Sequence, residues 1–197
     1  NEILKTPFDW DGMDKPYDGE PVQYEQPPDK TITIQELIAR GETNQIEFKP
    51  ALHYNFKTQS AAIGIKGIIA KSIAGFLNSK GGFLLIGVQD NGQIQGLSHD
   101  FSLSDGKSPR DYFRLQFDDT IKQFLPLFIK DNIIGDFVDI DDKEIFVVKV
   151  FPSKTRPIFM NGQHNKEFWV RWTASTRQYT DIEEIATYCL EHWKNMD

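Results

Sequence analysis

Apolar positions along this chain recur with two periods, near four residues in some stretches and two in others, and Gly, Pro and Asn punctuate them. Thr33, with Glu36 three residues on, reads as a capping box that opens a short helix, and Gly41 closes it. Gln45 to Lys49 alternates as a strand does, which places Glu47 and Lys49 on one face. After a polar loop, Ser60 to Leu77 has helical spacing through Ile65, Ile69, Ile73 and Phe76. Gly64, Gly67 and Gly75 interrupt it and point to close packing on one side. Phe83 to Val88 is a continuous apolar run of the central-strand kind. Asp90-Asn91-Gly92 then signals a hairpin that returns over Gln93 to Leu97.

The second half predicts an amphipathic helix over Ser108 to Leu125, stopped by Pro126. Two hairpins follow. One pairs Asn132–Asp139 with Glu144–Phe151 about Asp141-Asp142, and the other pairs Pro157–Met160 with Glu167–Trp172 about Asn161-Gly162. A last helix runs from Thr180 to Trp193, with Thr180 as cap and Glu183 completing its box. This order predicts an α/β (α+β) domain with a mixed, largely antiparallel sheet flanked by helices, spanning residues 31–197. Residues 1–30 carry five prolines among acids and aromatics and show neither period, so they read as an acidic, Pro-rich N-terminal arm.

Composition narrows the picture. With 197 residues, 39% hydrophobic and 26% charged, one globular domain is expected. The single cysteine, Cys189, excludes an intrachain disulfide framework and any multi-cysteine metal site. No apolar run approaches the roughly 20 residues that cross a bilayer. The start carries no signal pattern, so the chain reads as cytoplasmic; lacking an initial Met, it also reads as an excised piece.

The pI near 5.1 speaks against a nucleic-acid partner until the charge is located. Residues 1–29 hold eight acids against two bases and so account for −6 of the total −7. Phe48 to Gln89 holds Lys49, Lys57, Lys66, Lys71 and Lys80 with no acid. Ser153 to Tyr179 holds five bases, Arg171 and Arg177 among them, against Glu167 alone. Two acid-poor windows permit a local cationic face that could steer a polyanion, and solvated helix lysines explain them equally well.

Three carboxylates stand out by position: Glu42 beside Gly41, Glu47 in the first strand, and Asp90 just past the central strand. A few carboxylates near strand ends can hold Mg²⁺ or Mn²⁺ and polarise a phosphodiester. Each also has a plain structural explanation: a solvated loop, a lysine partner and an Asp-Asn-Gly turn. Glu42 and Glu47 are five apart, so they converge only if the chain bends between Gly41 and Asn44. The four histidines form no metal-spaced pair, and Ala70-Lys71-Ser72 lacks the glycines of a phosphate loop, so neither zinc nor ATP is expected.

Several motifs then fall in order. They are Glu42-Thr43-Asn44-Gln45-Ile46-Glu47-Phe48-Lys49, Ala74 to Asn78 followed by Gly81-Gly82, and Leu85-Ile86-Gly87-Val88-Gln89-Asp90-Asn91-Gly92. Pro157 and the stretch from Val170-Arg171 to Ser175-Thr176 follow downstream. Together they resemble the Schlafen AlbA-like DNA-binding domain over about residues 33–190. The resemblance implies a nucleic-acid partner, RNA or DNA. Vertebrate Schlafen members include metal-dependent endoribonucleases acting on structured RNA such as tRNA and rRNA, and their three catalytic acids correspond to Glu42, Glu47 and Asp90. On this reading those acids ligate Mg²⁺ or Mn²⁺, Lys49 stabilises the phosphate, and Lys66, Lys71, Arg171 and Arg177 track the backbone. Thr173 stands where the family has Gly. One lobe is present where the vertebrate enzymes have two, and a homodimer could rebuild their groove. The alternatives are a non-catalytic DNA- or RNA-binding module within a larger regulator, and an interaction domain whose acidic arm covers the groove.

Overall fold

The computed structural model describes residues 32–194, so the arm expected at 1–30 lies outside the described residues. Helix α1 (Ile34–Arg40) opens on the capping box the sequence predicts: the Thr33 hydroxyl accepts from the Glu36 amide, and the Glu36 carboxylate accepts from the Thr33 amide. Strand β1 (Ile46–Lys49) follows, then a two-residue ribbon of β2 (Tyr54–Asn55) and β3 (Ser60–Ala61). Ser60 and Ala61 therefore pair as a strand instead of opening the helix, and α2 begins at Ile63 and runs to Leu77. Beyond it come β4 (Gly82–Ile86), a short α3 (Ser98–Phe101) and α4 (Pro109–Phe124). Then β5 (Ile133–Ile140) and β6 (Lys143–Val150) form a hairpin whose turn residues, Asp141 and Asp142, both have positive φ. The chain closes with β7 (Phe159–Asn161), β8 (Lys166–Trp172), β9 (Ser175–Tyr179) and α5 (Ile182–Trp193).

The strands form a four-stranded sheet in the order β1-β4-β6-β5, a three-stranded sheet β7-β8-β9, and the β2-β3 ribbon. The β1–β4 pair is parallel and the other pairs are antiparallel, which bears out the mixed, largely antiparallel α+β expectation. Every residue of β4 is buried, because helices cover both faces of its sheet. Leu84 and Ile86 point to the core under α2 and α4, while Phe83 and Leu85 point to the core under α1. The β1 register sets Glu47 beside Leu84 and Phe48 beside Leu85, so alternation aims Glu47 and Lys49 toward α2.

Three further details depart from the sequence reading. The return after Asp90-Asn91-Gly92 makes only a single bridge, Val88 to Ile94, instead of a strand. Strand β9 exists although its polar Ser-Thr-Arg-Gln-Tyr run gave no hydrophobic signal. Helix α5 is capped by Asp181, whose carboxylate accepts from the Glu183 and Glu184 amides, and not by Thr180.

The second sheet is fastened to the first through the end of α2. The buried Asn78 side chain donates to the Ile158 and Trp169 carbonyls and accepts from the Ile158 amide. Gly75 is tightly packed: a Cβ there would lie 2.8 Å from the Thr176 methyl on β9. No described helix is long and apolar enough to cross a membrane.

Candidate functional site

Thr43 to Gln45 bend the chain between α1 and β1, and that bend brings Glu42 back against the strand. Its carboxylate accepts from the Phe48 amide at 3.0 Å. Two residues on from Glu47, Lys49 lies on the same face, and its ammonium sits 2.6 Å from Glu47 Oε1 and 4.0 Å from Glu42 Oε1. The strand alternation foreseen in the sequence thus makes Lys49 the meeting point of two carboxylates.

Arg171 reaches the same place from β8. Its guanidinium is buried beneath the bend and donates to Glu47 Oε2 at 2.5 Å, to the Thr43, Asn44 and Ile46 carbonyls, and to the Thr176 hydroxyl. It also lies over the Phe76 ring, 4.8 Å from the centroid. Ser72 on α2 completes the shell, donating to Glu47 Oε1 at 3.3 Å. Burial alone would push the Glu47 carboxyl up. Lys49, and then Arg171, more than reverse this and hold it below the usual carboxylate range.

Asp90 stands apart. Its carboxylate is exposed in the turn after β4, beside a hollow shared with Pro50, Phe56 and Gln95, and no described residue hydrogen-bonds or ion-pairs with it. Among the described residues no three acids, histidines or cysteines gather as a metal-binding group. The donor set for Mg²⁺ or Mn²⁺ does not fit as the side chains stand. Both Glu47 oxygens are already bonded to cations, and the place between Glu42 and Glu47 is filled by an ammonium.

The expected backbone-tracking bases do not form one track. Lys66 donates to Gln116 on α4 at 2.6 Å, and burial pushes its amine down despite Asp119 nearby. Lys71 lies over the Trp169 ring at 4.4 Å, on the side of β8 that faces α2. Arg177 is on the opposite side of that sheet, beside Trp172 and Tyr179, in a hollow whose other walls include Asp181, Glu183, Glu184 and Glu191. Arg171 is spent on the clamp. Ser72 and Trp169 enter the site without any sequence signal, since only packing of α2 on the second sheet brings them there, whereas Thr176 lies in the motif that ends at Ser175-Thr176.

Thr173, at the β8–β9 turn, has φ of 51°, a left-handed conformation that costs a β-branched residue and that the glycine of the family pattern would adopt freely. Cys189 is half-buried, and burial pushes its thiol up, away from nucleophilic use.

Comparison with known proteins gives a family and a fold. The family model described as "Schlafen, AlbA_2" matches residues 42–180, which takes in both carboxylates of the bend, Asp90 and the Arg171 strand. Among solved structures, the DIP2311 protein from Corynebacterium diphtheriae superposes with a TM-score of 0.53 at 16% identity, covering 81% of this chain and 31% of that one. The chain spans about a third of that protein's length, and the likeness is one of fold. No curated protein matches the chain.

Proposed function

Because the chain belongs to the Schlafen AlbA_2 family, a nucleic-acid-related one, we propose that it works as a nucleic-acid-binding module in which Glu42 and Glu47 serve the fold. One observation carries this reading: each Glu47 oxygen already holds a cation, Lys49 on one side and Arg171 on the other. A carboxylate so neutralised positions the bend and leaves the surrounding lysines to meet phosphate. Lys71, half-exposed on the Trp169 ring, and the exposed Lys57 and Lys80 supply positive charge in a stretch that has no acid from Phe48 to Gln89. Phosphate contacts of this kind give affinity without sequence reading and weaken steeply with salt.

A second reading keeps the metal-dependent endoribonuclease, with Glu42, Glu47 and Asp90 as its acids. The convergence of Glu42 and Glu47 on one ammonium favours it, since a cation already sits where two carboxylates meet. Fluorescently labelled tRNA and single-stranded DNA separate the two readings, each titrated with the protein across a salt series and then incubated with Mn²⁺. The module reading expects salt-sensitive binding and no metal-dependent cleavage, with Asp90→Ala binding as well as the parent. Mn²⁺-dependent cleavage that disappears in Asp90→Ala and Glu47→Ala overturns it. The exposed Asp90 makes the first variant safe for folding. Light scattering with the RNA present reads whether a second copy joins the complex.

A further inference from the structure

A half-open cavity of about 400 Å³ lies between α4 and the start of β5, away from the Glu42–Glu47 bend. Its floor is apolar, made by Phe117, Ile121, Ile133 and Phe146, and Leu127, 66% exposed, forms the lip. Gly135 contributes no side chain to fill it, and a Cβ there would strike the Phe146 ring at 2.6 Å. The apolar walls favour a body that water solvates poorly.

The rim is charged, and mostly of one sign. Arg114, Lys122 and Lys130 line the opening against a single carboxylate, Asp118. Arg114 is held rigidly, its guanidinium bonded to Asp136 at 2.6 Å and stacked 5.0 Å from the Phe137 centroid. Lys122 and Lys130 have no side-chain partner among the described residues. An apolar floor beneath two uncommitted ammonium groups and a fixed guanidinium matches a ligand with an apolar body and one anionic head.

We propose that this cavity binds a small amphipathic monoanion, a carboxylate- or sulfonate-type head on an aryl or short acyl body. The floor takes the body and Lys122 and Lys130 meet the head. Neither lysine takes part in the Glu42–Glu47 bend, so the proposal stands independently of the nucleic-acid reading.

Two fluorescent probes of similar shape test it on the full chain: 1-anilinonaphthalene-8-sulfonate, which is anionic, and N-phenyl-1-naphthylamine, which is neutral. The sulfonate should bind more tightly than the neutral probe and weaken with salt. In the Lys122→Glu/Lys130→Glu protein its affinity should fall by about tenfold or more, while the neutral probe changes little. Both lysines are exposed, so an unchanged thermal midpoint verifies the fold. Equal binding of the two probes, no binding of either, or equal loss of both in the variant overturns the proposal. Displacement of the sulfonate by stoichiometric oligouridylate overturns it too, by showing that nucleic acid occupies the cavity.

Discussion

Among the described residues two carboxylates are buried, and they are held in opposite ways. Glu47, 8% exposed, is neutralised by side-chain cations, Lys49 from its own strand and Arg171 from the second sheet. Asp100, 1% exposed, sits at the end of the short α3 and accepts three backbone amides, those of Leu52, His53 and Tyr54, each at 3.0 Å. His53 Nδ1 lies 3.1 Å from the same carboxylate, and His53 Nε2 is 3.1 Å from the Tyr112 hydroxyl. The difference separates a tertiary device from a local one. Glu47 is held by side chains that come from two sheets and so depends on their packing, whereas Asp100 is cradled by consecutive backbone amides of a single loop. Glu47 therefore ties the second sheet to the bend, and Asp100 is a staple that shapes the loop leading to the ribbon.

Removing one cation from Glu47 should have the largest effect. Arg171→Met leaves a buried carboxylate half compensated and the Thr43 and Asn44 carbonyls of the bend without their donor, so urea denaturation should show a loss of about 3–5 kcal/mol. A loss below about 1 kcal/mol would mean that Lys49 alone suffices, and the contrast drawn above would fail. Asp100→Asn should cost less, about 1–3 kcal/mol in the same assay. Its amide keeps the shape but presents donors to a cradle of N–H groups, leaving one or more of them unpaired. If Asp100→Asn is the costlier change, the backbone cradle is the stronger device and the order reverses.

The smallest effect is a slope. Glu47 has a lowered pKa in the folded state, against an ordinary value of 4.5, so in the window below that value the unfolded chain binds more protons. Its contribution to stability is complete above pH 4.5 and is lost as pH falls through the folded pKa. Urea midpoints measured from about pH 6 down to about pH 3 should fall less steeply for Glu47→Gln than for the parent. Parallel curves would show that Glu47 is not protected by its two cations.

The carboxylate pair was half legible in the sequence. Strand alternation alone brings Lys49 alongside Glu47, because residues two apart in a strand share a face. Glu42 joins through the Gly41–Asn44 bend, which the sequence identified as the necessary condition. Arg171 was recognised as belonging to the region, but its task differs from backbone tracking: it lies 124 residues from Glu47, and only the packing of β8 against α2 turns it inward. Arg177 shows the same limit, since a one-residue shift in a pairing decides which side of a sheet a base occupies. Asp100 left no trace in the sequence at all, because backbone amides carry no residue-specific signature.

The order of amino acids by itself determined the elements with strong periods or caps: α1 with its Thr33–Glu36 box, the buried β4, α4 up to Pro126, and the Asp141-Asp142 hairpin. These rest on interactions spanning only a few residues, which local sequence specifies. The tertiary structure alone decided the division into two sheets, the existence of polar β9, the isolation of Asp90, and the closing of Arg171 over Glu47. Each depends on which faces of distant segments come together, and burial then fixes whether a charge is free to meet a ligand or is spent on a neighbour.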